Sequence, residues 1–185
     1  SATTNEKNGE EIMEKRLIIV DISSFIFRAF YAIRPMNAPD GTPTNAINGV
    51  LSMLLKLIEK YEPSHLVLAQ DSKEKTFRHD MYDEYKANRS EPPEDLIPQF
   101  NLINSMTDKM GLQCKQIIGF EADDIIGSLC TQWKSSFEEG LIASSDKDLM
   151  QFVGGNVFML DTMKDIKYDT NRVKDKMGVW PNQIV

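Results

Sequence analysis

Apolar residues along this chain fall into short runs separated by polar stretches, and the runs alternate between two spacings. Residues 16–21, RLIIVD, form a continuous apolar run that ends in an acid, and residues 65–71, HLVLAQD, repeat that form after the turn signal Glu62-Pro63-Ser64. Between them Ile47, Val50, Leu51, Leu54, Leu55 and Ile58 recur at helical spacing, which predicts an amphipathic helix over 44–61. Strand, helix and strand in that order make a βαβ unit. Further strands are expected at 112–118 and 140–144, each followed by a helical pattern, at 121–137 and 146–152, and another strand at 156–161. The expected fold is therefore α/β, with a mostly parallel central sheet covered by helices on both faces. The opening SATTNEKNGEEIMEK is polar, so residues 1–15 are expected to be a flexible tail and 16–185 a single domain.

Composition narrows the class. A chain of 185 residues that is 41% hydrophobic can bury a sizeable core, and no apolar run approaches the length of a membrane span, so no membrane partner is expected. Cys114 and Cys130 form neither a zinc pattern nor a disulfide framework, and their scarcity suits a reducing cytoplasm. His65 and His79 stand far apart in sequence, which favours an ordinary structural role for each. The net charge of −7 argues superficially against nucleic acid. Setting aside seven acids that can share one site leaves 21 acids against 21 Lys and Arg, so local distribution matters more than the total.

Those seven acids carry the chemistry. The run Gly119–Ser128, GFEADDIIGS, places Glu121, Asp123 and Asp124 within four positions. Acids in a first helical turn face the positive end of the helix dipole and can cap free amides, but three side by side repel one another unless a cation sits among them. On the expected sheet, Asp21 and Asp71 end strands; Glu121, Asp123 and Asp124 open the helix after the third strand, and Asp146 and Asp148 open the helix after the fourth. The carboxyl ends of parallel strands form the ligand crevice of open α/β sheets. Helix capping explains any one of these acids; convergence of all seven at one edge predicts an oxygen-lined cage for Mg²⁺ or a similar hard cation. Two such cations suit in-line displacement at phosphorus. The chain has no P-loop, and Asp21-Ile22-Ser23 lacks the second acid expected of an aspartyl-phosphate phosphatase, which leaves phosphodiester hydrolysis as the leading reaction.

The segment 72–100, SKEKTFRHDMYDEYKANRSEPPEDLIPQF, mixes bases with aromatics: Lys73, Lys75, Arg78, Lys86 and Arg89 alternate with Phe77, Tyr82 and Tyr85. Cations contact phosphates and aromatic rings stack on exposed bases, a combination suited to single-stranded nucleic acid. A solvated helix face with core aromatics is the competing reading, because Glu74, Asp80, Asp83 and Glu84 nearly cancel the positive charge. The segment's start, directly after the strand-end acid Asp71, favours a functional role.

The runs IVDISSFIFRAFYA, QDSKEKTFRHDMYDEYKANR, GFEADDIIGSL and SSDKDLMQ, in this order, resemble the 5′ nuclease domain at the amino end of bacterial DNA polymerase I and the stand-alone 5′–3′ exonucleases, relatives of the flap endonucleases in the PIN-like superfamily. The resemblance covers residues 16–185. It implies a structure-specific 5′–3′ exonuclease or flap endonuclease core that hydrolyses 5′ flaps, nicked DNA and RNA primers in replication and repair by two-metal-ion catalysis. It implies that Asp21, Asp71, Glu121, Asp123, Asp124, Asp146 and Asp148 hold two Mg²⁺, with Mn²⁺ as substitute. It implies too that 72–100 is a helical arch or clamp in which Arg78, Lys86 and Arg89 contact the scissile region. Arg28, in the first run, joins Lys73, Lys75, Phe77, Tyr82 and Tyr85 as a nucleic-acid contact. A monomer acting on flapped or nicked DNA and RNA primer–DNA hybrids in a bacterial cytoplasm, fused in some members to a polymerase, is the expected setting.

The chain departs from the family where Ile22 and Ser145 replace glycines and Gln70 replaces an apolar or aromatic residue; Ile22 adds bulk next to Asp21. The resemblance implies a helix-three-turn-helix region beyond the position of Val185; Trp180–Val185 reads as the opening of a further helix, so the chain is expected to be a fragment of a longer protein. A nucleic-acid-binding homologue without turnover and a PIN-like ribonuclease are the alternatives.

Overall fold

The computed structural model describes residues 5–7, 10–12, 15–70, 93–115, 122–133 and 135–184. In chain order its strands are β1 (Asn5–Lys7), β2 (Glu10–Ile12), β3 (Arg16–Asp21), β4 (His65–Ala69), β5 (Gln113–Lys115), β6 (Glu139–Ala143), β7 (Val157–Asp161) and β8 (Ile166–Tyr168). The helices are α1 (Ile22–Ala32), α2 (Asn45–Tyr61), α3 (Ile97–Lys109), α4 (Ala122–Trp133) and α5 (Thr170–Met177), with short 3-10 helices at Lys147–Phe152 and Pro181–Gln183. Strands β3 to β8 form one six-stranded sheet in the order β5-β4-β3-β6-β7-β8. Two compact units divide the chain: Ser1–Val20, Leu57–Val67 and Ile126–Val185 make the first, Asp21–Lys56 and Leu68–Ile125 the second.

In the first unit β3 runs parallel to β6, from Arg16 opposite Glu139 to Val20 opposite Ala143, and β6 runs parallel to β7. The burial pattern explains why β3 reads as an unbroken apolar run: Leu17, Ile18, Ile19 and Val20 are all buried, so both faces of the strand are covered. Parallel pairing also directs the carboxyl ends of β3 and β6 to the same edge. At the opposite end Glu139 accepts from Arg16 Nη2 at 3.3 Å and from Lys167 Nζ at 2.6 Å, tying the starts of β3 and β6 to β8. His65 contacts the Ser64 hydroxyl at 3.3 Å and stands edge-on to Phe137, the structural role its sequence setting predicts.

The second unit packs helices closely. Ile22, Phe25, Ile26 and Ala29 give α1 one buried stripe. A Cβ on Gly49 would stand 2.5 Å from Ala29 Cβ and 2.6 Å from Ile33 Cδ1, so only glycine lets α2 approach α1 this closely. Asn45 and Gln99, both buried, secure the contact: Gln99 Oε1 accepts from the amides of Ala46 and Ile47 at 2.7 and 3.1 Å, while Asn45 Nδ2 donates to the carbonyls of Phe30 and Ile33 at 3.0 and 3.2 Å.

Several expectations shift. The helix expected at 146–152 is a 3-10 turn, and 1–15, expected as a tail, contains the antiparallel pair β1 and β2; of the strand expected at 112–118, Gln113–Lys115 is β5 and 116–118 lie outside the described residues. In α2 the buried hydrophobic side chains are Ala46, Val50, Leu54 and Leu57, one step round from the expected stripe, and Leu55 is 49% exposed. The sheet closes with an antiparallel strand, β8, that the parallel pattern does not anticipate. No described helix is long and apolar enough to cross a membrane.

Candidate metal-site acids and their setting

Four of the seven predicted acids have described side chains. Asp71 and Glu121 lie outside the described residues, and Asp123 is placed only by its backbone in α4. In the second unit Asp21 ends β3 and occupies the N-cap position of α1, yet it is only 9% exposed and makes no side-chain cap hydrogen bond. Local capping therefore does not account for this carboxylate, although capping is the commonest reason for an acid at a helix start. Ile22, whose bulk beside Asp21 weighed against the family pattern, is 3% exposed and shares the buried stripe with Phe25, Ile26 and Ala29. Its side chain belongs to the core. In the same first turn the Ser23 hydroxyl oxygen is buried and makes no hydrogen bond, a polar group that local structure leaves unsatisfied. Asp124, third in α4, is exposed.

In the first unit Asp146 and Asp148 follow the carboxyl end of β6, as predicted. Here capping does operate: Asp146 Oδ1 accepts from the Asp148 amide at 2.9 Å, while the Asp146 amide donates to the Ser144 hydroxyl at 3.0 Å. Leu149 N to Asp146 O, at 3.2 Å, closes the turn, and Leu149 and Met150 are buried beneath it. Both carboxylates stand on an exposed, internally bonded turn. Ser144, 3% exposed, is a contributor that sequence reading missed; its only signal is a hydroxyl residue directly after an apolar strand.

Among the described residues no three His, Cys, Asp or Glu side chains are grouped so as to hold a metal ion. The donor chemistry nonetheless fits a hard divalent cation: the four described acids supply oxygen alone, and Asp21 is a buried carboxylate at a strand end without a capping role. Arg28 lies half-buried on α1. Lys73, Lys75, Phe77, Arg78, Tyr82, Tyr85, Lys86 and Arg89 lie outside the described residues. Of the observed departures, Gln70 is buried at 6% exposure and Ser145 is exposed.

None of the seven acids is among the lining residues of two hollows in the described structure. One, of about 280 Å³, is lined by Tyr31, Arg34, Met36, Asn37, Asn45 and Asp95 among others, where α1 turns toward α2. The other, of about 20 Å³, is lined mainly by apolar side chains including Leu17, Ile19 and Leu129, with Cys130 in its wall. Burial pushes the Cys130 thiol up to about 11, which keeps it protonated and chemically quiet at neutral pH.

Residues 16–178 match the family described as 5′-3′ exonuclease, N-terminal resolvase-like domain. A DNA polymerase I of Rhizobium leguminosarum is 46% identical over 177 residues, covering 91% of this chain and 17% of the polymerase. A 5′-3′ exonuclease of Aquifex aeolicus is 39% identical over 170 residues, covering 92% of this chain and 59% of the exonuclease. The chain thus spans less than a fifth of the one relative and about three fifths of the other. Two solved structures share the fold. A T5 5′-exonuclease with divalent metal ions (zinc) bound aligns with a TM-score of 0.65 at 19% identity, over 89% of this chain and 62% of that one. The catalytic core of Rad2 in complex with DNA substrate aligns with a TM-score of 0.54 at 17% identity, over 91% of this chain and 52% of that one.

Proposed function

Because the chain belongs to the 5′-3′ exonuclease N-terminal domain family, we propose that it is the catalytic core of a divalent-metal-dependent 5′ nuclease that hydrolyses phosphodiesters of 5′-flapped or nicked DNA and of RNA primers. The observation that carries this reading is the match over residues 16–178, which spans all seven acids. In support, a T5 5′-exonuclease has been solved with divalent metal ions and Rad2 with DNA substrate, and the polymerase relatives suggest fusion to a polymerase.

Asp21, Asp71, Glu121, Asp123, Asp124, Asp146 and Asp148 would hold the cations, with Mg²⁺ as the natural ion and Mn²⁺ as substitute. When bound, such cations supply Lewis acidity toward the phosphodiester and the attacking water. The chain's own groups do the rest. Asp21 and the turn carrying Asp146 and Asp148 set the position of negative charge at strand ends, so that the repulsion among carboxylates favours cation capture. Lys86, Arg89 and Arg78 neutralise phosphate, and Phe77, Tyr82 and Tyr85 present ring faces to unpaired bases, with Lys73, Lys75 and Arg28 adding long-range attraction for the strand.

The test is cleavage of a 5′-labelled flap duplex in Mg²⁺ and in Mn²⁺, against an EDTA control, an Asp21→Asn variant and an unstructured RNA of equal length. Metal-dependent cutting of the flap that Asp21→Asn abolishes is the expected result. Flap binding without cutting in either metal would instead identify a non-catalytic binding module, and preference for the RNA would identify a PIN-like ribonuclease.

A further inference from the structure

We propose that Ser144 is a positioning residue for Asp146 and Asp148, its hydroxyl tying to the sheet the turn that carries both acids; the inference rests on the metal-dependent reading above. Ser144 directly follows β6 and is 3% exposed, next to the fully buried Ala143. A hydroxyl at such a position costs free energy unless it is hydrogen-bonded, so packing alone would favour a second alanine. The bond that the hydroxyl makes is specific: Ser144 Oγ accepts from the Asp146 amide at 3.0 Å. Its own amide donates to the Leu160 carbonyl at 3.4 Å, which keeps Ser144 on the sheet beside β7.

From that point the turn is built in series. Asp146 caps the 3-10 helix, and its Oδ1 accepts from the Asp148 amide at 2.9 Å. Two bonds of equal span thus run from a buried sheet residue to the first acid and from the first acid to the second. Leu149 and Met150 anchor the far side of the turn in the core, but Ser145, Asp146, Lys147 and Asp148 are all exposed. The bonds from the Asp148 amide to Asp146 Oδ1 and from the Leu149 amide to the Asp146 carbonyl join parts of the turn to one another and would travel with it, whereas Ser144 Oγ joins it to the sheet. With Oδ1 engaged, Asp146 offers its second oxygen to a cation, and among the described residues the Asp148 carboxylate makes no hydrogen bond or ion pair. Without the Ser144 hydroxyl these two carboxylates sample more arrangements, and a cation that needs one of them binds more weakly.

The experiment titrates Mn²⁺ calorimetrically into wild type, Ser144→Ala, Ser144→Thr and Ser144→Val, with circular dichroism and melting as checks of folding. Thr and Val share a shape and differ in the hydroxyl, so their comparison isolates the bond from packing. Removing a group that orients metal ligands typically costs about 10–100-fold in metal affinity; Ser144→Ala and Ser144→Val are each expected to bind Mn²⁺ about tenfold more weakly, with Ser144→Thr within about threefold of wild type. A role confined to stability is separated by placing Ser144→Ala in a chain that also carries Asp146→Asn and Asp148→Asn. There it should leave the residual Mn²⁺ affinity unchanged while lowering the melting temperature as it does in wild type. Should Ser144→Ala prove unfolded, the comparison of Ser144→Thr with Ser144→Val decides. Wild-type Mn²⁺ affinity in Ser144→Ala, equal affinities in the Thr and Val variants, or a tenfold loss that persists without the two carboxylates overturns the proposal and leaves the metal-dependent reading intact. A wild-type chain that binds no Mn²⁺ overturns both.

Discussion

Gln99 Nε2 donates to Asn45 Oδ1 at 2.8 Å, and Asn45 Nδ2 in turn donates to the end of α1, so that the amino end of α3 is linked through Asn45 to both the start of α2 and the end of α1. Gln99 is fully buried and acts as a cap supplied from another helix: its oxygen takes the amides of Ala46 and Ile47, and its nitrogen also reaches the carbonyl of Asp95 at 2.8 Å. Gln99→Leu strands two amides and the Asn45 oxygen at once. At roughly 1–3 kcal/mol for each buried group left unsatisfied, partly relieved by relaxation, the expected loss is about 3 kcal/mol in urea unfolding. Gln99→Glu separates donor from acceptor. A carboxylate keeps the two amides but faces two acceptors, so its pKa in the folded state is raised, and its stability deficit should shrink as pH falls from 7 toward 5. A deficit that does not change with pH would show that the Nε2 bonds contribute nothing.

This hub marks where sequence reading stops. β3, β6 and β7 announce themselves as unbroken apolar runs because both their faces are covered, and α2 by its period. Asn45 and Gln99 look like ordinary polar residues; their meaning lies in partners 12 to 54 positions away. For β8 and α5 the signal is weak because IKY is short and TNRVKDKM buries only Val173. Of the site, the strand-end position of Asp21 and the placement of Asp146 and Asp148 after β6 were legible, since both follow from a carboxylate directly beyond an apolar run. That Asp146 is a working cap and Asp21 is not depends on backbone geometry that residue types do not encode.

Millimolar Mg²⁺ or Mn²⁺ should raise the melting temperature, because ions that bind only the folded state shift unfolding by mass action. At a hundred times the dissociation constant the gain is about 2.7 kcal/mol, or roughly 5–10 °C for a chain of this size. Asp123→Asn with Asp124→Asn should remove most of it. A wild-type melting curve indifferent to both metals, measured by differential scanning calorimetry, would argue against any assembled carboxylate cage.

Replacing Lys86 and Arg89 with Ala separates strand capture from metal binding. Each lost phosphate contact lowers the slope of log affinity against log salt by about 0.7–0.9, so the double variant should lose roughly 1.5 in slope together with affinity at low salt. The metal-induced rise in melting temperature should persist. Equal slopes for variant and wild type in fluorescence anisotropy would return 72–100 to a solvated helical face.

Cys130 provides a pH-dependent test of the packing between α4 and the β3–β6 strands. Burial beside the small hollow lined by Leu17, Ile19 and Leu129 pushes its thiol up to about 11 from an ordinary value of 9.0. The unfolded chain therefore releases this proton at lower pH than the folded one. It follows that the contribution of Cys130 to stability is fully present below pH 9 and is lost as pH rises from about 9 to about 11. A shift of this size also leaves about a hundredfold less thiolate in the folded state at pH 8.5, so in a Cys114→Ser background iodoacetamide should modify the native chain about a hundred times more slowly than the urea-unfolded one. Cys130→Ala should flatten the stability profile across that window while costing little at pH 7, since the side chain is small and its loss enlarges a hollow that already exists. Rapid alkylation of the native Cys114→Ser protein at pH 8.5, or a stability profile from pH 8 to 11 that is the same with and without Cys130, would show that the thiol faces solvent and that α4 packs less tightly on the sheet than the structure places it.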